Sequence, residues 1–140
     1  MESALWGMAQ ANIDLGVFQE TECTDRIYTC DSAGYRILAT DALSRHRGGV
    51  ALFYRPLPLF KVEAVREYGP NVLSFKVATG ARRWYIIGCY LALDDAETIE
   101  RAVAALGEKP RGTALIVVGD LNTDLGNTET TGGNRILRRR

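Results

Sequence analysis

The sequence predicts an α+β protein built as two sheets with helices on their outer faces. Two observations carry that prediction. Segments with strand periodicity follow one another, separated only by turns, from residue 35 to residue 91, and helical periodicity occurs only near the start and just after that run. Strict βαβ winding would alternate the two. At 140 residues and 46% hydrophobic composition the chain can fill the core of one domain.

Taken in order, "SALWGMAQAN" opens a short helix with Leu5, Met8 and Ala9 on one face. A strand follows at 15–19, and Glu20 stands at its end. Further strands are expected at 35–40, 49–55, 60–66, 71–78 and 83–91, divided by Gly48, Pro56, Pro58, Gly69, Pro70 and Gly80. Leu73, Phe75 and Val77 alternate with Ser74, Lys76 and Ala78, the pattern of a strand with one wet face. "WYIIGCYLA" is apolar on both faces, as a central strand covered on each side must be. Asp94 is placed to cap the next helix with Glu97 at its third position; Ile99, Ala102, Val103 and Leu106 form the buried stripe, and Gly107 stops it. Ala114, Leu115, Ile116, Val117 and Val118 read as a buried strand that ends at Asp120. Beyond Gly126 the composition turns to Asn, Thr and Gly, and no regular structure is expected. Glu20 and Asp120 would then meet at one rim of the sandwich.

Charge separates few function classes. Lys plus Arg and Asp plus Glu both number 17. Arg135, Arg138, Arg139 and Arg140 close the chain, so the body is mildly acidic and the end basic, a solvated tail. Cys23, Cys30 and Cys89 show no C-x-x-C spacing, which points to neither a zinc site nor a disulfide framework and fits a reduced, intracellular chain. No apolar run reaches membrane-spanning length, and the N-terminus lacks the basic and apolar regions of a secretory signal. The only histidine, His46 in "SRHRGG", has basic neighbours and reads as a solvated loop residue.

The chemistry concentrates in "ALIVVGDLNTDLG", where Asp120, Asn122 and Asp124 occupy every second position after the apolar run. An EF-hand loop counted from Asp120 needs Gly at its sixth position and Glu at its twelfth. Leu125 and Thr131 stand there. A P-loop partner is missing as well, because "GEKPRGTA" lacks the Lys after its second Gly. Two readings remain. In one, Asp120 and Asn122 leave the strand end on the same face and hold a water and a phosphate oxygen together. In the other, "DLNTD" is an Asx-rich turn.

Four segments in order, "DLGVFQET", "GGVALFYR", "YIIGCYLAL" and "VVGDLNTD", resemble the endonuclease/exonuclease/phosphatase superfamily of magnesium-dependent phosphoesterases. "RHRGGVALFYR" and "YIIGCYLALDDAETIERAVAAL" are most similar to the endonuclease domain of non-LTR (LINE-like) retrotransposon polyproteins. The resemblance implies a four-layered α/β sandwich, here a partial one with two mixed sheets, over residues 1–126, followed by an Arg-ended polar tail at 127–140. It implies Glu20 as the ligand of a catalytic Mg²⁺, with Mn²⁺ as a substitute, and Asp120 as the group that orients or deprotonates the attacking water. It implies Asn122 as the holder of that water or of a phosphate oxygen, and Tyr90 as a hydroxyl reaching the scissile phosphate. Glu22 offers itself as a rival carboxylate to Glu20. DNA is the implied partner, nicked to leave a 3′-hydroxyl, and the nucleus the implied location.

The family pattern also has an N-terminal Asn-bearing strand and a closing Asp-His pair that these residues do not match, and Leu93 stands where Pro is usual. The expectation is an incomplete copy of the domain, prone to self-association through open sheet edges. Two alternatives stay open: a catalytically dead remnant or binding module, and a phosphoesterase acting on other phosphate esters.

Overall fold

Alternating apolar side chains decide how the strands stack in this protein. The structure, a computed structural model, describes residues 2–23, 32–42, 48–92 and 95–122. Its elements are α1 (Glu2–Gln10), β1 (Leu15–Gln19), a 3-10 turn (Ser32–Gly34), β2 (Arg36–Ala39), β3 (Val50–Tyr54), β4 (Phe60–Glu67), β5 (Val72–Thr79), β6 (Arg82–Tyr90), α2 (Ala96–Gly107) and β7 (Ala114–Asp120). One sheet has the order β1-β3-β2 and the other β4-β5-β6-β7.

Val50, Leu52 and Tyr54 of β3 point inward against Leu73, Phe75, Val77 and Ile86 of the second sheet. The opposite face of β3, Ala51 and Phe53, packs with Tyr35, Ile37 and the Leu5 and Met8 face of α1. On the far side, Ala105 of α2 joins Val72, Tyr85, Ile87 and Cys89. The layers therefore run helix, sheet, sheet, helix. Each fully buried large side chain, such as Phe53 or Phe75, contributes about 1.5–3 kcal/mol to holding them together. Among the described residues no helix is long and apolar enough to cross a membrane.

Several local expectations change. Both sheets were expected to be mixed, but β1, β3 and β2 are antiparallel throughout. Only β6 and β7 pair in parallel, because only there does a helix carry the chain back to the same end. β7 was expected to be buried; among the described residues it is the edge of its sheet, and Leu115, Ile116 and Val117 are 40%, 39% and 46% exposed. An apolar run alone does not report how many neighbours a strand has. Asp95, rather than Asp94, caps α2: its carboxylate accepts from the Thr98 N–H at 3.0 Å. The buried face also differs from the expected stripe: Thr98, Ile99 and Ala105 are buried, while Leu106 is exposed. Ser74 is likewise buried instead of wet, since α2 packs on β5 there. Cys30, His46, Leu93, Asp94, Asp124 and the tail at 127–140 lie outside the described residues.

Candidate active site

β1, β6 and β7 all end at one rim. The parallel register of β6 and β7 sets Tyr90 directly beside Asp120. Gly119 makes that approach possible, since a Cβ there would lie 1.7 Å from the Cys89 carbonyl oxygen. After the strands part, the Leu91 N–H still donates to the Asp120 carbonyl at 2.8 Å.

Asp120 and Asn122 close a turn of their own. The Asn122 N–H donates to Asp120 Oδ1 at 2.8 Å, and Asn122 Nδ2 donates to the Leu91 carbonyl at 2.7 Å. Asn122 sits at φ 42°, a left-handed conformation that Asn tolerates. Of the two readings it is the Asx turn that forms: Asn122 lies beyond the end of β7 in the left-handed region, so the turn, and not strand alternation, holds the amide near the carboxylate.

Glu20 reaches the same place from β1. Its φ of 51° breaks the extended strand, an unfavourable conformation for Glu that the surroundings must enforce. The Tyr90 hydroxyl donates a hydrogen bond to Glu20 Oε1. That bond holds the Tyr90 hydroxyl above its ordinary pKa; burial and the negative charges of Glu20 and Asp120 add to the shift, and a hydrogen bond from Asn122 opposes it. Glu20, Tyr90, Asp120 and Asn122 therefore lie together. The rival carboxylate, Glu22, is exposed and takes part through its backbone, its N–H donating to the Gly48 carbonyl at 3.1 Å.

One residue of this framework carries no signal in the sequence reading. Asn71 is 1% exposed, and its Oδ1 accepts from the Gly49 N–H at 2.9 Å. Its carbonyl accepts from the Tyr90 N–H at 2.9 Å, and its side chain also hydrogen-bonds to Asp95. Asn71 thus ties together the turn that faces the Glu20 loop, the strand that carries Tyr90, and the cap of α2. Gly49, at φ 93°, has no room for a side chain, because a Cβ would lie 2.5 Å from Thr21 Oγ1. Asn71 opens the strand expected at 71–78, and nothing in one dimension marks its reach across the fold.

Among the described residues no three His, Cys, Asp or Glu side chains gather as a metal cage. What the rim offers is oxygen: the exposed carboxylates of Glu20 and Asp120 and the half-buried amide of Asn122. That donor set suits a hard divalent cation, which is commonly held by one or two carboxylates while water and substrate phosphate supply the rest.

The profile of the Endonuclease/Exonuclease/phosphatase family matches residues 8–140. No curated protein sequence matches the chain. Among solved structures, the endonuclease domain of TRAS1, a telomere-specific non-LTR retrotransposon, superposes with a TM-score of 0.68 at 15% identity, over 98% of this chain and 61% of that one. A conserved protein of unknown function from Enterococcus faecalis V583 gives 0.63 at 11% identity, over 99% and 63%. An endonuclease/exonuclease/phosphatase family protein from Leptotrichia buccalis C-1013-b gives 0.61 at 17% identity, over 89% and 60%. The chain spans about three fifths of the length of each. With the profile covering nearly all of the sequence and the helix, sheet, sheet, helix layering shared with these structures, the chain belongs to the endonuclease/exonuclease/phosphatase family.

Proposed function

We propose that the rim formed by Glu20, Tyr90, Asp120 and Asn122 is the hydrolytic centre of a magnesium-dependent phosphodiesterase, and that its substrate is DNA. The observation that carries the reading is the hydrogen bond from the Tyr90 hydroxyl to Glu20 beside the Asp120–Asn122 turn: strands distant in sequence deliver a carboxylate pair, an amide and a phenol to one place.

Each group has a chemical use in phosphoryl transfer, which requires a positioned nucleophile and stabilised charge on the phosphate oxygens. Glu20 would hold the cation, which when bound neutralises charge on the phosphate. Tyr90 keeps its proton through neutral pH, since its pKa is raised, and so remains a donor able to turn from Glu20 to a phosphate oxygen. Asp120 is exposed, with Oδ1 engaged by Asn122 and its other oxygen open to accept a proton from water. The Asn122 amide, fixed by the Leu91 carbonyl, has its other N–H on the Tyr90 hydroxyl and would turn it to a phosphate oxygen when substrate is bound.

Nicking of supercoiled plasmid in Mg²⁺, compared for the chain, Tyr90→Phe and Asp120→Ala, tests the reading. Loss of a group of this kind lowers the rate by roughly 10²-fold or more. Equal nicking by all three proteins would show that the activity resides elsewhere.

A further inference from the structure

The charges of the described residues are segregated along the strands. Glu20, Glu22, Asp41, Glu67, Asp95 and Asp120 stand at or beside the rim where β1 and β6 end. Lys61, Lys76, Arg82, Arg83, Lys109 and Arg111 lie at the opposite end of the four-stranded sheet, where β6 and β7 begin. None of the ion pairs among the described residues takes one of these six cations. Among the described residues the candidate site is therefore acidic, and the cations of the four-stranded sheet outside its ion pairs are at the other end.

Register shows that part of this charge forms a surface. Lys61 pairs with Ala78 and Ala78 with Arg83, so the three form one row across β4, β5 and β6. In the next row Glu63 pairs with Lys76 and Lys76 with Tyr85. Directly paired residues share a face, as do residues two apart along a strand, so both rows look outward from the same side of the sheet. α2 covers that face only nearer the site, through Ala105 on Tyr85 and Ile87. Ala78, short between two long cations, floors a shallow cavity of about 380 Å³ that Lys61 and Arg83 border. A second hollow continues it past Lys76 toward Pro110 and Thr113. Glu63 is the one carboxylate among the residues lining the two.

We propose that this uncovered face is a second contact for nucleic acid, gripping the phosphodiester backbone without reading sequence. It lies about 23 Å from the rim, taking seven residues of β6 between Arg83 and Tyr90 at about 3.3 Å each. It relies on the nuclease reading only for the identity of the polyanion. An acidic cleft repels a polyanion, so attraction must come from cations outside it, and unpaired Lys and Arg on a sheet face supply it by counterion release. Charge complementarity favours a phosphate backbone over an apolar partner, because Lys61 and Arg83 outnumber the one carboxylate, Glu63, around a cavity that Pro58, Leu59, Ala78 and Gly80 complete.

The test is fluorescence anisotropy of a short labelled DNA duplex in chelator, so that no cleavage intervenes, across a salt series. The chain is compared with Lys61→Gln/Lys76→Gln/Arg83→Gln and with Arg83→Gln alone. Each phosphate contact contributes about 0.9 to the slope of log affinity against log salt, so the triple variant should lose about 2.7 and the single variant about 0.9. An unchanged slope in both Gln variants overturns the proposal, and so does polyglutamate binding with the affinity and variant sensitivity of DNA. Slope loss in a protein that nicks nothing keeps this surface and removes only the nuclease reading.

Discussion

Asn71→Ala removes the side chain that joins two parts of the site's framework, the Gly48–Gly49 turn and the cap of α2, and leaves in place the backbone carbonyl that holds the Tyr90 N–H. Asn71 is 1% exposed and Gly49 is buried beside it, so the Gly49 N–H is not resupplied by bulk water. The Gly49 N–H loses its acceptor, and an unsatisfied buried donor costs about 1–3 kcal/mol. Asp95 loses a donor but keeps the Thr98 N–H and hydroxyl, so its share is about 1 kcal/mol. Together the loss is about 3 kcal/mol, a fall in Tm of roughly 10 °C for a chain of this size. Loosening of the Gly48–Gly49 turn should also release the Thr21 and Glu22 backbone that follows Glu20. Tyr90 would then titrate closer to its ordinary value, since its hydrogen bond to Glu20 is the main cause of the shift. Asn71→Asp keeps the acceptor for Gly49 but faces Asp95 with a like charge. A carboxyl whose folded pKa is raised destabilises above that pKa and ceases to do so below it, so this variant should recover as pH falls toward about 4. The assays are thermal melts and an ultraviolet tyrosinate titration referenced to Tyr90→Phe. A melt within a degree of the parent and an unmoved Tyr90 titration would refute the claim that Asn71 holds the site.

Three further outcomes are expected. Gly119→Ala puts a Cβ 1.7 Å from the Cys89 carbonyl, so β7 must shift by more than about 1 Å with Asp120 still present; a displacement of that size costs about 10²-fold in rate, read by plasmid nicking, and an undiminished rate would show that Asp120 needs no fixed position. Burial raises the Asp95 carboxyl, but the hydrogen bonds from Thr98 outweigh it and hold the pKa below its ordinary value, so its stabilisation is full above about pH 4 and is lost as pH falls through the lowered value; in urea melts, Asp95→Asn should flatten that acid limb. The open apolar edge of β7 should drive association at high concentration, and Val117→Lys should reduce it in sedimentation velocity; identical profiles would leave the edge without that role.

The sequence by itself determined the strand and helix order, the two-sheet layering and the identity of the polar residues at the strand ends. Those follow from local alternation: Leu73, Phe75 and Val77 must bury one face, and Leu5 and Met8 must bury one stripe, whatever the partners are. Resemblance in short motifs added Glu20, Tyr90, Asp120 and Asn122, because those residues sit where strands end and the motif letters mark them. What the one-dimensional pattern could not supply was neighbourhood. "ALIVV" has the letters of a central strand, yet its position in the sheet leaves it at an edge. Asp94 and Asp95 are chemically equal as caps in the letters, and it is Asp95 whose carboxylate meets the Thr98 N–H. Asn71 looks like an ordinary strand-opening residue until the fold brings Gly49, Tyr90 and Asp95 around it. The separation of an acidic rim from a basic far end is likewise absent from a balanced net charge of zero, since charge adds along a chain without regard to place and only the pairing of strands assigns each residue to an end.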